Sequence, residues 1–178
     1  MLDLPAPKIY DDDMDYTFEN FRVETGNKHA FAAAQAVSQR RRDFEILYVY
    51  GPSGSGKTHL LHAIGKEALE KYGYSGLYFG AGAFAREFLG DNPEEALSRF
   101  QQKCDVPDIL LLDDLQYFVG RESAFRGLLT ILEHLSNKGS HVVLASDCKA
   151  QEINDLSLRL HSVYRSAYYV DLPPPAFT

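Results

Sequence analysis

The stretch GPSGSGKT, residues 51–58, restricts the possible folds of this chain more than any other feature of the sequence. Its spacing is G-x-x-x-x-G-K-T, with a lysine and a threonine directly after the second motif glycine. Glycine backbones adopt positive φ and approach a ligand closely, and their exposed N–H groups form a concave anion site at the start of a helix. A loop of this kind is typical of proteins that wrap the phosphates of a nucleotide.

The lysine and the threonine at the end of this loop each have an expected role. Lys57 is expected to reach the β- and γ-phosphates, and the Thr58 hydroxyl is expected to ligate Mg²⁺. The predicted nucleotide-binding residues are the whole loop and the first residues of the next helix: Gly51, Pro52, Ser53, Gly54, Ser55, Gly56, Lys57, Thr58 and His59.

The segments on either side of the loop have the character that the motif requires. EILYVY, residues 45–50, is a short β-rich run that ends where the loop begins. Residues 58–73 carry apolar side chains at helical spacing, and Gly73 is a good helix stop. The order strand, loop, helix favours a phosphate-binding loop over an ordinary glycine-rich turn.

Strand-like and helical segments alternate along the rest of the chain. The expected strands are residues 47–50, 76–79, 109–112, 142–145 and 168–172. The expected helices are residues 27–41, 58–72, 82–89, 93–103, 122–137 and 151–162. The runs ILLL and VVLA are apolar at every position, which is typical of strands buried on both faces. The sequence therefore predicts an α/β fold, a three-layer domain with a parallel five-stranded sheet.

Acidic residues follow two of the expected strands. Asp113 and Asp114 end the segment DILLLDD, and ligands of α/β sheets bind beyond the carboxyl ends of the strands. Asp113 is expected to hold Mg²⁺, directly or through water, and Asp114 to position or activate an attacking water. Asp147 follows the strand VVLAS, where it either senses the γ-phosphate or caps the next loop.

The composition excludes several classes of function. The chain has 178 residues, of which 45% are hydrophobic and 24% charged, which is typical of one soluble globular domain. Its net charge of −7 gives no overall attraction to nucleic acid or acidic membranes. No apolar run approaches the roughly 20 residues of a membrane span, and the start of the chain lacks a signal-peptide pattern. We therefore expect a cytoplasmic protein without a membrane partner, with Cys104 and Cys148 as free thiols.

Several short sequence segments around the loop resemble those of a single family. YTFENF, NKHAFAAAQAV, GKTHLLHAIG, LLLDDLQYFVGRE and VVLASD are similar to the AAA+ domain of the bacterial replication initiator DnaA family, which includes DnaA-related regulators such as Hda. The resemblance implies a three-layer AAA+ P-loop domain that binds ATP or ADP with Mg²⁺ between subunits. It also implies that residues 18–27 lie against the adenine and ribose, and that Asp147 belongs to the sensor-one strand. The alternative for Tyr16, Phe18 and Phe21 is that they are plain core aromatics.

The chain departs from this family at two motifs. The family's single-strand DNA segment usually ends in F-x-x-x-Y-R, but here Cys104 and Asp105 take the tyrosine and arginine positions, and an aspartate repels phosphate. The family's arginine-finger box is R-L-x-S-R-F, but here it reads RLHSVY, with Arg159 at the first arginine and Val163 at the finger position. Arg165 lies two residues further on, and whether it replaces the finger stays open.

The resemblance implies a division of the chain and a set of catalytic residues. Residues 1–15 are expected to form an irregular acidic arm, residues 16–175 the ATP-binding domain, and residues 176–178 a truncated linker towards a helical lid that is absent from this chain. The metal ligands are expected to be Thr58 and Asp113, and the catalytic residues Asp114, Asp147 and Arg159.

The implied function is that of an ATP-binding module acting in chromosomal replication initiation or its regulation. Because valine replaces the finger, we expect at most slow ATP hydrolysis. Expected partners are replication proteins or further copies of the chain, while DNA binding by this domain is expected to be weak or indirect. A base stacking on Phe100 is one remaining route to DNA. The basic cluster QRRRD, residues 39–43, either contacts phosphate or ends a helix, where its arginines meet the negative end of the dipole. A helicase-loader-type ATPase, or a nucleotide-dependent interaction module with little turnover, stays open as an alternative.

Overall fold

The computed structural model describes residues 15–90, 92–164 and 166–176. Its five strands are β1 (Ile46–Tyr50), β2 (Gly76–Gly80), β3 (Ile109–Asp113), β4 (His141–Ser146) and β5 (Ala167–Asp171). They pair in parallel in the order β2-β3-β4-β1-β5. This arrangement confirms the predicted α/β fold with a parallel five-stranded sheet.

Helices connect the strands and cover the sheet. They are α1 (Lys28–Ser38), α2 (Lys57–Tyr72), α3 (Ala81–Phe84), α4 (Ala96–Lys103), α5 (Glu122–Asn137) and α6 (Leu156–Val163). A π-helical segment, Ala85–Leu89, continues α3. Short 3₁₀ turns cover Pro93–Glu95, Leu115–Phe118 and Ala150–Glu152. Within the described ranges, none of these helices combines the length and the apolar character that crossing a membrane requires.

The sheet separates two apolar clusters and so creates three layers. In β1, Leu47 and Val49 pack with α1 and α2, whereas Ile46 and Tyr48 pack with α3 to α6 on the other face. Every residue of β3 and β4 is buried. Successive side chains of a strand point to opposite faces, so a strand covered on both sides must be apolar throughout. This burial explains the runs ILLL and VVLA.

Two of the expected helices end or begin elsewhere. The segment 151–162 is not one helix, because Asn154 and Asp155 adopt φ of 46° and 56° between a 3₁₀ turn and α6. Asparagine and aspartate tolerate this left-handed conformation, so they break the apolar helical pattern. The first helix ends at Ser38 rather than residue 41. Beyond it Arg40 has a φ of 51°, and its guanidinium donates to Asp108 Oδ1 (3.1 Å) and the Gly139 carbonyl (2.8 Å).

The register of the sheet brings the predicted functional segments to one edge. Tyr50 lies opposite Ser146 and Asp171, and Gly80 lies opposite Asp113. The carboxyl ends of the strands are therefore level, and the segments that leave β1, β3 and β4 meet there. Except for Asp15, the predicted arm over residues 1–15 lies outside the described residues, as do the last two residues of the predicted linker.

Candidate nucleotide-binding site

The glycine-rich loop joins the end of β1 to the start of α2. Gly54 and Gly56 have φ of 81° and 103°, a region that glycine enters without strain. A Cβ atom on Gly56 would lie 3.0 Å from the Phe21 ring, and one on Gly51 would lie 2.1 Å from the Leu172 carbonyl oxygen. Backbone conformation and close neighbours therefore both require glycine in this loop.

Lys57 is held inside the loop. Only 8% of the residue is exposed, and its Nζ donates to the carbonyl oxygens of Gly51 (2.6 Å) and Pro52 (2.8 Å). Burial lowers the pKa of Lys57, and the nearby carboxylates of Asp113, Asp147 and Asp114 oppose that shift. Phosphate oxygens form stronger, charge-assisted bonds with an ammonium than neutral carbonyls do. The lysine is thus placed where a phosphate would replace the two loop carbonyls as its hydrogen-bond partner.

The two predicted metal ligands contact each other. The Thr58 hydroxyl donates to Asp113 Oδ2 at 2.6 Å, which joins the start of α2 to the end of β3. Asp113 is 1% exposed, and its Oδ1 accepts a bond from the Asp114 backbone N–H at 2.9 Å. Hydroxyl and carboxylate oxygens are the hard ligands that Mg²⁺ prefers. The residues present therefore fit a magnesium ion.

A cavity of about 450 Å³ lies over the loop. The residues that line it come from the loop, the start of α2, the ends of β3 and β4 and the N-terminal segment: Tyr16, Ser53, Gly54, Gly56, Lys57, Thr58, His59, Asp114, Gln116 and Asp147. Gly51, Pro52 and Ser55 belong to the same loop without lining the cavity. The structure thus brings Asp114, predicted to act on water, and Asp147, predicted to sense the γ-phosphate or to cap the loop, to the same space as Lys57 and Thr58.

Gln116 connects these two carboxylate positions. Its Nε2 donates to Asp114 Oδ1 at 3.3 Å, and its Oε1 faces the Ser146 hydroxyl at 3.3 Å and the Asp147 N–H at 3.4 Å. Asp114 itself has a left-handed φ of 57°, which turns the chain sharply after β3. Gln116 belongs to the segment LLLDDLQYFVGRE that carries the family resemblance, but the sequence alone predicts no role for it. Within the turn LQYF it is also the one residue with a side-chain amide.

The N-terminal segment reaches the cavity through Tyr16. The rings of Tyr16 and His59 stack at 4.7 Å, and His59 Nε2 lies 2.7 Å from the Thr17 carbonyl oxygen. Because a carbonyl only accepts, Nε2 carries the proton. The Phe21 ring meets His59 edge-on at 5.1 Å. The segment is thereby attached to the loop, while the expected contact of residues 18–27 with adenine and ribose stays a prediction.

Arg159, the third predicted catalytic residue, does not line the cavity of its own chain. Its guanidinium donates to Glu122 Oε1 at 2.6 Å and lies 5.1 Å from the centroid of the Phe125 ring. The hydrogen bond from Arg159 holds the pKa of Glu122 below its usual range. Arg159 therefore ties α6 to α5, and a role in catalysis, which would be towards the nucleotide of another subunit, stays a prediction.

A phosphate loop between β1 and α2, acidic residues after β3 and a polar tip on β4 define a P-loop nucleotide-binding protein of the AAA+ class. Residues 13–171 match the bacterial DnaA ATPase domain, and the chain belongs to this family. It is 36% identical over 162 residues to the chromosomal replication initiator protein DnaA of Thermomicrobium roseum, which covers 90% of this chain and 35% of that protein. It is 32% identical over 173 residues to DnaA of Thermus thermophilus, covering 96% of this chain and 39% of that protein. The chain thus spans little more than a third of the length of these curated relatives.

Solved structures agree with the family assignment. Domain III of the Thermotoga maritima replication initiation protein DnaA superposes with a TM-score of 0.77 at 32% identity, over 91% of this chain and 68% of that one. The replication initiator DnaA bound to AMPPCP and single-stranded DNA gives 0.75 at 32% identity, over 88% of this chain and 49% of that one. The DnaC helicase loader gives 0.61 at 16% identity, which shows a shared fold alone. The helicase-loader alternative is therefore not favoured.

Proposed function

We propose that this chain is the ATP-binding AAA+ module of a DnaA-like protein that acts in chromosomal replication initiation or in its regulation. The observation that carries the proposal is that Lys57 and Thr58 line one cavity and that the Thr58 hydroxyl contacts Asp113 directly behind it, in a chain of the DnaA ATPase family. The relatives named above are initiators, and one solved relative is bound to AMPPCP. ATP or ADP is the proposed ligand of the cavity.

The cavity suggests how each group would act on ATP. The phosphates would lie against the loop, whose N–H groups and the start of α2 favour negative charge. Lys57 would exchange its two carbonyl partners for phosphate oxygens. Thr58 and Asp113 would hold Mg²⁺, which when bound neutralises charge on the phosphates. Asp114 and Asp147 line the same cavity, where they would orient an attacking water.

A second candidate is a nucleotide-dependent interaction module with little turnover. Val163 stands at the finger position of the box, and the guanidinium of Arg159 is bound to Glu122. Nucleotide binding would then serve to set the shape of a surface for replication proteins or for a further copy of the chain. Both candidates require the same nucleotide site, and they differ in the rate of hydrolysis.

Calorimetric titration of ATP and of ADP into the chain tests the proposal. We expect one nucleotide to bind per chain, with an affinity for ATP that rises when Mg²⁺ replaces EDTA. An Asp113→Asn variant is expected to retain binding in EDTA and to lose most of the magnesium effect, because it removes the anionic ligand. If neither nucleotide bound the wild-type chain, the proposal would be wrong.

Single-stranded DNA is expected to bind this domain weakly or not at all. On α4, Arg99 pairs with Glu95 at 2.8 Å, and Lys103 pairs with Glu87 at 2.7 Å. Phe100 on the same helix is 1% exposed, so stacking of a base on its ring, which the sequence left open, is excluded. In the QRRRD cluster, Arg40 pairs with Asp108 and Arg41 with Asp43. Few cations of these two described segments are therefore free to neutralise DNA phosphates. Such neutralisation releases the counterions of the DNA, and this release is the main source of non-specific affinity.

Fluorescence anisotropy with labelled oligonucleotides and ATP, at low and at physiological salt, measures this affinity. An Asp105→Arg variant restores the arginine of the family pattern at an exposed position, so tighter binding is expected there than in the wild type. Submicromolar affinity of the wild-type chain at physiological salt would contradict the expectation.

A further inference from the structure

Tyr78 lies in the middle of β2, beside the carboxylate predicted to hold the metal. Its hydroxyl donates to Asp113 Oδ2 at 2.9 Å, and the same oxygen accepts the Thr58 hydroxyl at 2.6 Å. The other carboxylate oxygen accepts the Asp114 N–H at 2.9 Å. Three donors, from β2, from α2 and from the turn after β3, therefore fix both oxygens of one buried carboxylate.

The Tyr78 ring is itself fixed by packing. Its centroid lies 4.3 Å from that of His62 on α2, and the His62 ring lies 5.7 Å from that of Tyr16, which lines the cavity. Once the ring is held, the phenol oxygen has little freedom left. The position of the hydroxyl is thus set by the packing of α2 against β2, independently of Asp113.

We propose that Tyr78 is the positioning residue of the Asp113 carboxylate, so that the strengthening of nucleotide binding by magnesium depends on the Tyr78 hydroxyl. The inference rests on the proposed function, because the metal would serve a bound nucleotide. A tyrosine hydroxyl is protonated at neutral pH and donates its hydrogen. It therefore orients the carboxylate without competing for the metal. Loss of such an outer partner typically lowers metal affinity about 10- to 100-fold.

A merely structural role predicts a different result. If the hydroxyl only stabilised the fold, its removal would weaken nucleotide binding equally with and without metal, or not at all. If it positions Asp113, the loss appears only when magnesium is present. The magnesium dependence of affinity, measured apart from any hydrolysis, separates the two roles.

The Tyr78→Phe variant removes the hydroxyl and keeps the ring against His62. Calorimetry of ATP binding in EDTA, and then over a series of Mg²⁺ concentrations, gives the affinity with and without metal. We expect ATP affinity in EDTA to match that of the wild type. The Mg²⁺ concentration that produces half of the strengthening is expected to rise about tenfold.

Tyr164→Phe is the matched control. The Tyr164 hydroxyl donates to the Leu132 carbonyl at 2.9 Å, in the buried contact beside α5 and away from the cavity. This variant also loses one tyrosine hydrogen bond, but its magnesium dependence is expected to equal that of the wild type. Thermal unfolding of both variants without nucleotide checks that each is folded at the temperature of the titration.

The outcomes separate this inference from the proposed function. Wild-type magnesium dependence in Tyr78→Phe, or an equal loss of affinity in EDTA and in magnesium, would overturn the role of Tyr78 alone. A wild-type chain that bound no nucleotide would overturn both. A shift confined to the magnesium series of Tyr78→Phe, and absent from Tyr164→Phe, is the result expected.

Discussion

Replacing Lys57 with alanine is expected to abolish ATP binding and to leave the chain folded. The ammonium would bond two phosphates, and each hydrogen bond to a charged group contributes about 1.5–3 kcal/mol, so the loss of two reduces affinity by about a hundredfold or more. Burial lowers the pKa of Lys57 in the folded chain. The charged ammonium therefore costs folding free energy at neutral pH, and this cost offsets the two hydrogen bonds to the Gly51 and Pro52 carbonyls that alanine removes. We therefore expect the free energy of unfolding to stay nearly unchanged.

Lys71→Ala is a suitable control for this variant. Lys71 stands in the last turn of the same helix, α2, and its ammonium is exposed and pairs with Glu67 at 2.8 Å. Lys71 does not line the cavity, so the ATP affinity of the Lys71→Ala variant is expected to match that of the wild type. Calorimetric titration of both variants, with circular dichroism melts, provides the comparison. Wild-type ATP affinity in Lys57→Ala would refute the assignment of the loop.

The part of the site that the sequence predicts is the part encoded by neighbouring residues. The loop, with Lys57 and Thr58 beside it, is recognisable because glycine spacing, a preceding strand and a following helix all lie within 29 residues, 45–73. Asp113 is predictable for a similar reason, since it ends a strand whose four preceding residues, ILLL, are all apolar. In both cases the order of residues directly indicates the local conformation and the burial.

The contacts that complete the site depend on strand order and register. Tyr78 reaches Asp113 because β2 pairs with β3 and places Gly80 opposite Asp113. Nothing in the segment GLYFG indicates which strand lies beside it. Gln116 likewise meets Asp147 only because β4 adjoins β3. Such partners are separated by about 30 residues or more, so they follow from the assembled sheet rather than from a local pattern.

The wrong prediction of one helix over residues 151–162 has a different cause. Ile153, Leu156 and Leu160 are all fully buried, and their spacing fits one helical face. Asn154 and Asp155 nevertheless turn the backbone into the left-handed region, and the Asn154 amide donates to the Phe118 carbonyl at 2.7 Å. A tertiary hydrogen bond thus accompanies the break in the helix, and the break cannot be predicted from the apolar periodicity alone.

Hydrolysis of ATP by the isolated chain is expected to be slow, far below the roughly 1–10³ s⁻¹ that is typical of enzymes. Among the described residues that line the cavity, Lys57 is the one permanent cation, and it would already serve the phosphates of the ground state. An arginine finger contributes a factor of about 10³–10⁵ where it acts. Val163 stands at that position here, and Arg159 is bound to Glu122. Single-turnover measurements with labelled ATP provide the rate, and a value near one per second without a partner would contradict the expectation.

A Val163→Arg variant tests whether the missing finger is the cause. Val163 ends α6 and is half-buried, so the apolar stem of an arginine could follow the same surface while its guanidinium reached solvent. The resemblance implies that the finger residue acts on the nucleotide of a neighbouring chain, so this guanidinium is expected to act there. We therefore expect turnover to rise with protein concentration in Val163→Arg, and to stay low and independent of concentration in the wild type and in Val163→Ala. Equal, low rates in all three at concentrations where the chains associate would show that the finger position is not what limits hydrolysis.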